Sequence, residues 1–253
     1  MSSIFFVVPV HQRHELTRLC LEQLRWTCDE LELKYIRANA VIVGNEPEHR
    51  EVAKANGFWW VHQDNEPLAR KFNDGIEAAY WAGADYVVPC GSDNWVHPDW
   101  FTRLPEPDEV ICHRQCVVVS SDGSELAYLN ISYDGGDGIR IFPIKLFAKL
   151  DYRPAADYRN RAIDTSIVER LRRFAGWTPK WVYHEWDPAE VVGFQSDDFD
   201  IQLNDYDGLV KAFGVGVNNM PWHRLAEAYP KEAVTRMEAY FARRLRIADG
   251  VFV

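Results

Sequence analysis

Polar residues gather at three places where an apolar run stops. Val10-His11-Gln12-Arg13 follows the run from Ile4, Gly44-Asn45-Glu46 follows Ala40-Val41-Ile42-Val43, and Gly91-Ser92-Asp93-Asn94 follows Tyr86-Val87-Val88-Pro89-Cys90. Asp93 sits where a carboxylate either caps the turn toward Pro98 or offers hard oxygen to a divalent ion. Magnesium and manganese accept such carboxylates together with phosphate oxygens and keep several waters. Asn45 and Glu46 are either plain turn residues before Pro47 or hydrogen-bonding groups for a ligand. Further along, Ile163, Ile167, Val168 and Leu171 form an apolar stripe. Asp164 falls in the first turn of that helix, where the dipole favours an ionised carboxylate. It is either a helix cap or a general base, with Asp151, Asp157 and Asp187 as rivals. His184 follows the strand-like Trp181-Val182-Tyr183.

The elements that must position these residues read as βαβ units. Strands are predicted at 4–10, 40–43, 58–61 and 85–90. Helices between them carry apolar residues at three- and four-residue steps: Leu16, Leu19, Cys20, Leu24, Cys28 and Leu31 in the first, Leu68, Phe72, Ile76, Ala79 and Tyr80 in the third, with 48–56 between. Four strands and three helices in this order predict an α/β fold, a mixed but mostly parallel sheet flanked by helices. Beyond residue 105 the pattern predicts strands at 110–119, 125–132, 139–142 and about 181–183. A helix is predicted over 163–174, and a helical C-terminal tail over 222–229 and 230–247. Residues 134–138 are either a hairpin turn or a lid, and 196–207 an acidic surface loop. The expected organisation is a single domain over 1–253, with halves at 1–105 and 106–220 and the tail at 221–253.

In an open parallel sheet, ligands bind outside the carboxyl ends of the strands. That rule alone brings His11, Arg13, Asn45, Glu46, Asp93 and Asn94 to one rim.

Charge and composition narrow the classes. The 253 residues contain 28 Lys+Arg and 38 Asp+Glu, a net charge of −10, which disfavours DNA binding because that trade needs clustered cations. Hydrophobic residues at 47% and charged residues at 26% are globular usage and exclude bulk disorder. No stretch reaches the ~18–20 apolar residues of a membrane span. The five cysteines lack framework spacing, so reduced thiols in a cytoplasmic protein are expected, and Cys112 and Cys116 are expected as buried strand residues rather than half a zinc site.

Three blocks carry a resemblance: Pro9-Val10-His11-Gln12-Arg13-His14-Glu15-Leu16, the helix with Asn73-Asp74-Gly75-Ile76, and 86–100 with its Gly91-Ser92-Asp93-Asn94-Trp95 turn and His97-Pro98-Asp99 helix start. Together they resemble a family 2 glycosyltransferase of the GT-A, Rossmann-like nucleotide-diphospho-sugar transferase fold, strongly over about 4–105 and by loose pattern beyond. The resemblance implies a nucleotide-sugar donor bound by Pro9, Val10, His11, Arg13, Asn45, Glu46, Arg70, Asn73, Ser92, Asp93, Asn94 and Trp95. It implies Mn2+ or Mg2+ held by Asp93 and His184, and Asp164 as the base that deprotonates an acceptor hydroxyl in an inverting transfer. Lys71, beside Arg70, is an exposed helix residue or a second phosphate contact, and Trp95 is either a ligand contact or core.

The chain departs from the family in three places. Gly91 replaces the first acid of the Asp-x-Asp turn, Gly44-Asn45-Glu46 replaces the acidic pair after the second strand, and Phe72 replaces an Arg before the helix Asn. The acceptor is left open among protein, glycan, lipid and modified nucleobase. Gly91 motivates the alternative of a non-catalytic GT-A-like nucleotide- or glycan-binding protein. A nucleotidyltransferase is demoted because residues 10–15 contain no glycine.

Overall fold

The computed structural model describes residues 1–113, 115–119, 123, 126–130, 139–159, 163–178, 180–184, 191–194 and 222–248. The first half follows the predicted order. Strand β1 (Ser3–Pro9) is buried throughout, as expected of a strand covered on both faces. It leads to α1 (His14–Leu33), β2 (Arg37–Gly44), α2 (Pro47–Ala55), β3 (Trp59–His62), α3 (Leu68–Trp81) and β4 (Tyr86–Pro89). Pro47 opens α2 at a position where its missing N–H costs nothing. Gly57 (φ 69°), just past the end of α2, holds a left-handed conformation that a side chain would disfavour.

Alternation along β1 decides which helix covers which face. Ile4, Phe6 and Val8 join Leu21, Leu24 and Cys28 of α1 and Ala53 of α2 in one core. Phe5 and Val7 join Ala69, Ile76 and Ala79 of α3 and Ile163 and Ile167 of α4 (Ile163–Arg170) in the other.

Three further strands complete this sheet: β6 (Glu109–His113), β9 (Arg140–Pro143) and β10 (Lys180–His184). The order is β10-β6-β9-β4-β1-β2-β3. β9 alone runs antiparallel to its neighbours β4 and β6, while β1, β2, β3 and β4 are mutually parallel and β10 is parallel to β6. The architecture is mixed α/β with a mostly parallel central sheet and flanking helices, as the sequence predicts.

Three differences arise beyond β4. The single strand expected at 110–119 is two, β6 and β7 (Gln115–Val119), which belong to different sheets: Cys112 packs with α3 and α4, whereas Val117 packs against α1 and the tail. The second sheet has the order β5-β11-β7-β8, where β5 is Asn94–Val96, β8 is Leu126–Asn130 and β11 is Val191–Phe194. β5 and β11 were not anticipated, because three- and four-residue strands are too short for a periodic signal. Helices α5 (His223–Ala228) and α6 (Lys231–Ala248) form the expected tail and cover this sheet through Leu225, Val234, Met237 and Phe241. The helix expected over 163–174 ends as α4 at Arg170 and continues as a π turn, Leu171–Ala175. The expectations for 134–138, 196–207 and Asp187 fall outside the described residues.

Candidate functional site

The chain leaves β1 with two successive left-handed residues, Gln12 (φ 49°) and Arg13 (φ 46°). For residues with a Cβ this costs roughly 1–2 kcal/mol each, so the neighbouring contacts must hold the turn. Those contacts are visible. Glu46 accepts from the Gln12 main-chain N–H through both oxygens, at 3.1 and 3.0 Å, and its Oε1 lies 2.8 Å from His11 Nδ1. Arg13 Nη1 donates to Asp93 Oδ2 at 2.8 Å and Nη2 donates to Ser92 Oγ at 3.2 Å. The loop after β1 is therefore pinned on one side to the end of β2 and on the other to the turn after β4. The structure brings together His11, Arg13, Glu46, Ser92 and Asp93, as the strand-end rule predicts.

Glycine makes this close approach possible in two places. A Cβ on Gly44 would lie 2.7 Å from Val10 Cγ2 and 3.2 Å from Trp60. A Cβ on Gly91 would collide with Asp93 Oδ1 and Asn94 Oδ1, the latter already accepting the Gly91 N–H at 2.8 Å. The turn folds its polar side chains back over Gly91, in the space an acid at that position would occupy.

Several expected contacts are corrected. Trp95 is 1% exposed and packs edge-on to Phe194 in the core of the second sheet, so as part of β5 it is buried rather than presented on the rim. Asn73 is fully buried. Its amide donates to the Ala155 carbonyl at 2.9 Å and to Asp157 Oδ1 at 2.7 Å, and it accepts the Ala155 N–H at 2.8 Å, so it clasps α3 to 155–157. Pro9 and Val10 are buried, and the Val10 main chain is taken by Val43 and Lys71. Glu46 is engaged by the Gln12 N–H and His11, chiefly through Oε1, with His49 beside Oε2. Burial raises its pKa, but the Gln12 N–H, the His11 hydrogen bond and nearby histidine charge outweigh this and the net shift is downward.

Lys71 is the opposite of an exposed helix residue. It is 1% exposed, its Nζ donating to the Val10 carbonyl at 2.5 Å and to Asn65 Oδ1 at 2.6 Å, and burial pushes its pKa down to about 8. Arg70, its neighbour, stays exposed. The five cysteines are free, and burial pushes Cys28 and Cys116 up to about 12, the behaviour of inert thiols.

A cavity of about 260 Å3 opens at the end of β4. Gly91 and Asn94 line one side, Arg140 of β9 and Phe72 of α3 the middle, and Ile163 and Ile167 of α4 the other. Asp164 is the second residue of that helix, next in sequence to Ile163. His184 ends β10, three strands away from β4 in the sheet order and in register with His113 of β6.

Sequence reasoning missed the company Glu46 keeps. His49 is 1% exposed with its Nδ1 3.1 Å from Glu46 Oε2, and His14 Nδ1 is 3.7 Å from the same oxygen. The signals were the spacing Glu46-x-x-His49 across a helix start, which puts both side chains on one face, and His11-x-x-His14 before α1.

No family model matches the chain. It is 28% identical over 117 residues to EpsH of Bacillus subtilis (strain 168), whose name assigns it as a glycosyltransferase; the match covers 44% of this chain and 33% of that protein. The chain thus spans about a third of the length of the curated relative it matches. In structure it is similar to glucosyl-3-phosphoglycerate synthase from Mycobacterium tuberculosis, solved with Mg2+ and UDP (12% identity, 85% of this chain and 80% of that chain, TM-score 0.48). It is also similar to the mannosyltransferase PcManGT from Pyrobaculum calidifontis, solved with GDP-Man and Mn2+ (15% identity, 99% and 76% coverage, TM-score 0.47). Neither likeness identifies a substrate for this chain. The chain is thus similar over part of its length to a glycosyltransferase, and its own central sheet is mixed and mostly parallel.

Proposed function

We propose that the chain is a glycosyltransferase that moves a sugar from a nucleotide-diphosphate donor to an acceptor hydroxyl with inversion. The observation that carries this reading is the hollow shared by the Gly91–Asn94 turn and the helix holding Asp164. Asn45 supports it as well: its Oδ1 is buried on the rim without a hydrogen-bond partner, an acceptor suited to a base N–H or ribose hydroxyl.

Asp93 suits a divalent ion, Mn2+ or Mg2+, because a hard carboxylate oxygen, Oδ1, is left beside the one that takes Arg13, Oδ2. A cation held there supplies neutralisation of charge at the departing diphosphate. His184 is proposed as its second ligand. Arg13, beside Asp93, contributes a fixed positive charge to the same place. Asp164 takes the proton from the acceptor hydroxyl as that oxygen bonds to the anomeric carbon and the bond to the diphosphate breaks. Ser92 and Asn94 complete the phosphate side, with Arg70 reaching in from α3. His11 is proposed to lie against the donor base. The acceptor is a protein, glycan, lipid or modified nucleobase, and five free cysteines support a cytoplasmic location. Among the described residues no helix is long and apolar enough to cross a membrane.

A second reading, a nucleotide- or glycan-binding protein without turnover, is favoured by one observation: Arg13 already neutralises Asp93. Thermal shift with nucleoside diphosphates and sugar donors, with and without Mn2+, tests both. A ligand binding only the native state at a hundred times its Kd stabilises it by about 2.7 kcal/mol. Metal-dependent stabilisation with donor hydrolysis abolished by Asp93→Ala supports the transferase, and stabilisation without hydrolysis or transfer supports the binding protein. No stabilisation by any donor overturns both.

A further inference from the structure

We propose that His14, Glu46 and His49 form a site for a zinc-class divalent ion at the junction of α1 and α2, distinct from the cation position at Asp93. One ligand atom from each of the three lies within 4.8 Å of the others. In a tetrahedral zinc site with bonds of roughly 2.0–2.1 Å, ligand atoms stand about 3.4 Å apart. His49 Nδ1 and His14 Nδ1 stand 3.1 and 3.7 Å from Glu46 Oε2, on either side of that value.

The second observation is a buried ring with poor hydrogen bonding. His49 is 1% exposed, and among the described residues neither of its nitrogens makes a well-aligned hydrogen bond; Glu46 Oε2 and the Gln12 main chain are its polar neighbours. A buried imidazole so poorly satisfied carries a desolvation cost that a metal bond removes. The His14 and His49 rings lie 4.6 Å apart, centroid to centroid, and His14 is half-exposed.

The surroundings suit an ion. His11 Nδ1 and the Gln12 N–H hold Glu46 Oε1, the supporting contact that fixes a ligating carboxylate. A surface hollow lined by His14, Glu15, Arg18, Glu48, His49 and Val52 gives access from solvent. Two imidazoles and one carboxylate select zinc, cobalt or nickel over magnesium and calcium, which prefer all-oxygen sets. The ion would tie the first residue of α1 to the start of α2, and this proposal does not depend on the transferase reading.

The test uses the full chain, free of affinity tag and stripped with EDTA, titrated with Zn2+ against a chromophoric chelator. One equivalent is expected, unaffected by millimolar Mg2+. Co2+ in its place should give visible d–d absorption. His49→Asn and Glu46→Gln should weaken binding by ~10–100-fold or more, the scale seen when even supporting contacts of a metal site are lost. Because His49 is buried, His14→Ala is the second variant: half-exposed, it should keep the parent circular dichroism while losing zinc and the cobalt bands. Failure of the parent to take zinc from the chelator overturns the proposal. So does a His14→Ala protein that keeps parent affinity and spectrum.

Discussion

Arg13 Nη1 donates to Asp93 Oδ2 at 2.8 Å across 80 positions of sequence, joining the loop after β1 to the turn after β4. Both side chains are only partly exposed, at 29% and 19%. The guanidinium occupies one oxygen of the carboxylate proposed to hold a cation, so the two positive charges compete. Arg13→Gln is therefore predicted to tighten Mn2+ binding roughly tenfold, about 1.4 kcal/mol, while Asp93→Asn abolishes it. Isothermal calorimetry with Mn2+ alone checks both, and equal affinity in parent and Arg13→Gln counts against Asp93 as the ligand.

Asp164→Asn separates base from cap. The amide oxygen can still cap a helix but cannot take a proton. A lost general base costs ~10²–10⁴ in rate, whereas a lost cap costs ~0.5–2 kcal/mol of stability. The expected protein has near-parent melting and donor binding and almost no transfer. Transfer within a few-fold of the parent moves the role to Asp151, Asp157 or Asp187.

Asn73→Ala should damage stability rather than recognition. It strips three hydrogen bonds from a buried clasp and leaves the Ala155 N–H and carbonyl unsatisfied. At ~1–3 kcal/mol per stranded buried group, a loss of roughly 2–6 kcal/mol in urea unfolding is expected. Donor affinity of the folded protein should stay within about twofold. A large affinity loss with unchanged stability would return Asn73 to the donor site.

His113 should make the fold sensitive to acid. It is buried, its Nδ1 is 3.0 Å from the Ile139 carbonyl, and burial pushes its pKa down to about 4. The unfolded chain protonates this ring near its ordinary value of ~6.5. Between those values the unfolded state binds more protons, so stability is intact above about pH 6.5 and falls as pH drops toward 4. The scale is on the order of 3 kcal/mol. His113→Gln should flatten that part of the profile in urea melts at pH 7 and 4.5; an unchanged slope assigns the acid sensitivity elsewhere.

Much of the fold was legible because local rules sufficed. The apolar runs of β1, β2 and β4, the three- and four-residue spacing in α1 and α3, and alternation within β1 fix elements and faces without long-range information. Parallel order then puts residues 10–13, 44–46 and 91–94 on one rim whatever the details of packing. The division of 110–119 between two sheets was not legible, since Cys112 and Val117 are equally apolar and only their partners differ. Nor were the side-chain assignments on the rim. Trp95 turns inward because β5 pairs with β11. Lys71 is buried because the Val10 carbonyl, 61 positions away, accepts from it. Glu46 meets His11 and His14 across the turn where Gln12 and Arg13 adopt left-handed conformations, which no periodicity encodes. The strand pattern alone places these polar groups on one rim. Which groups face one another there was decided by contacts between distant segments, whose energies exist only once the sheet has brought them together.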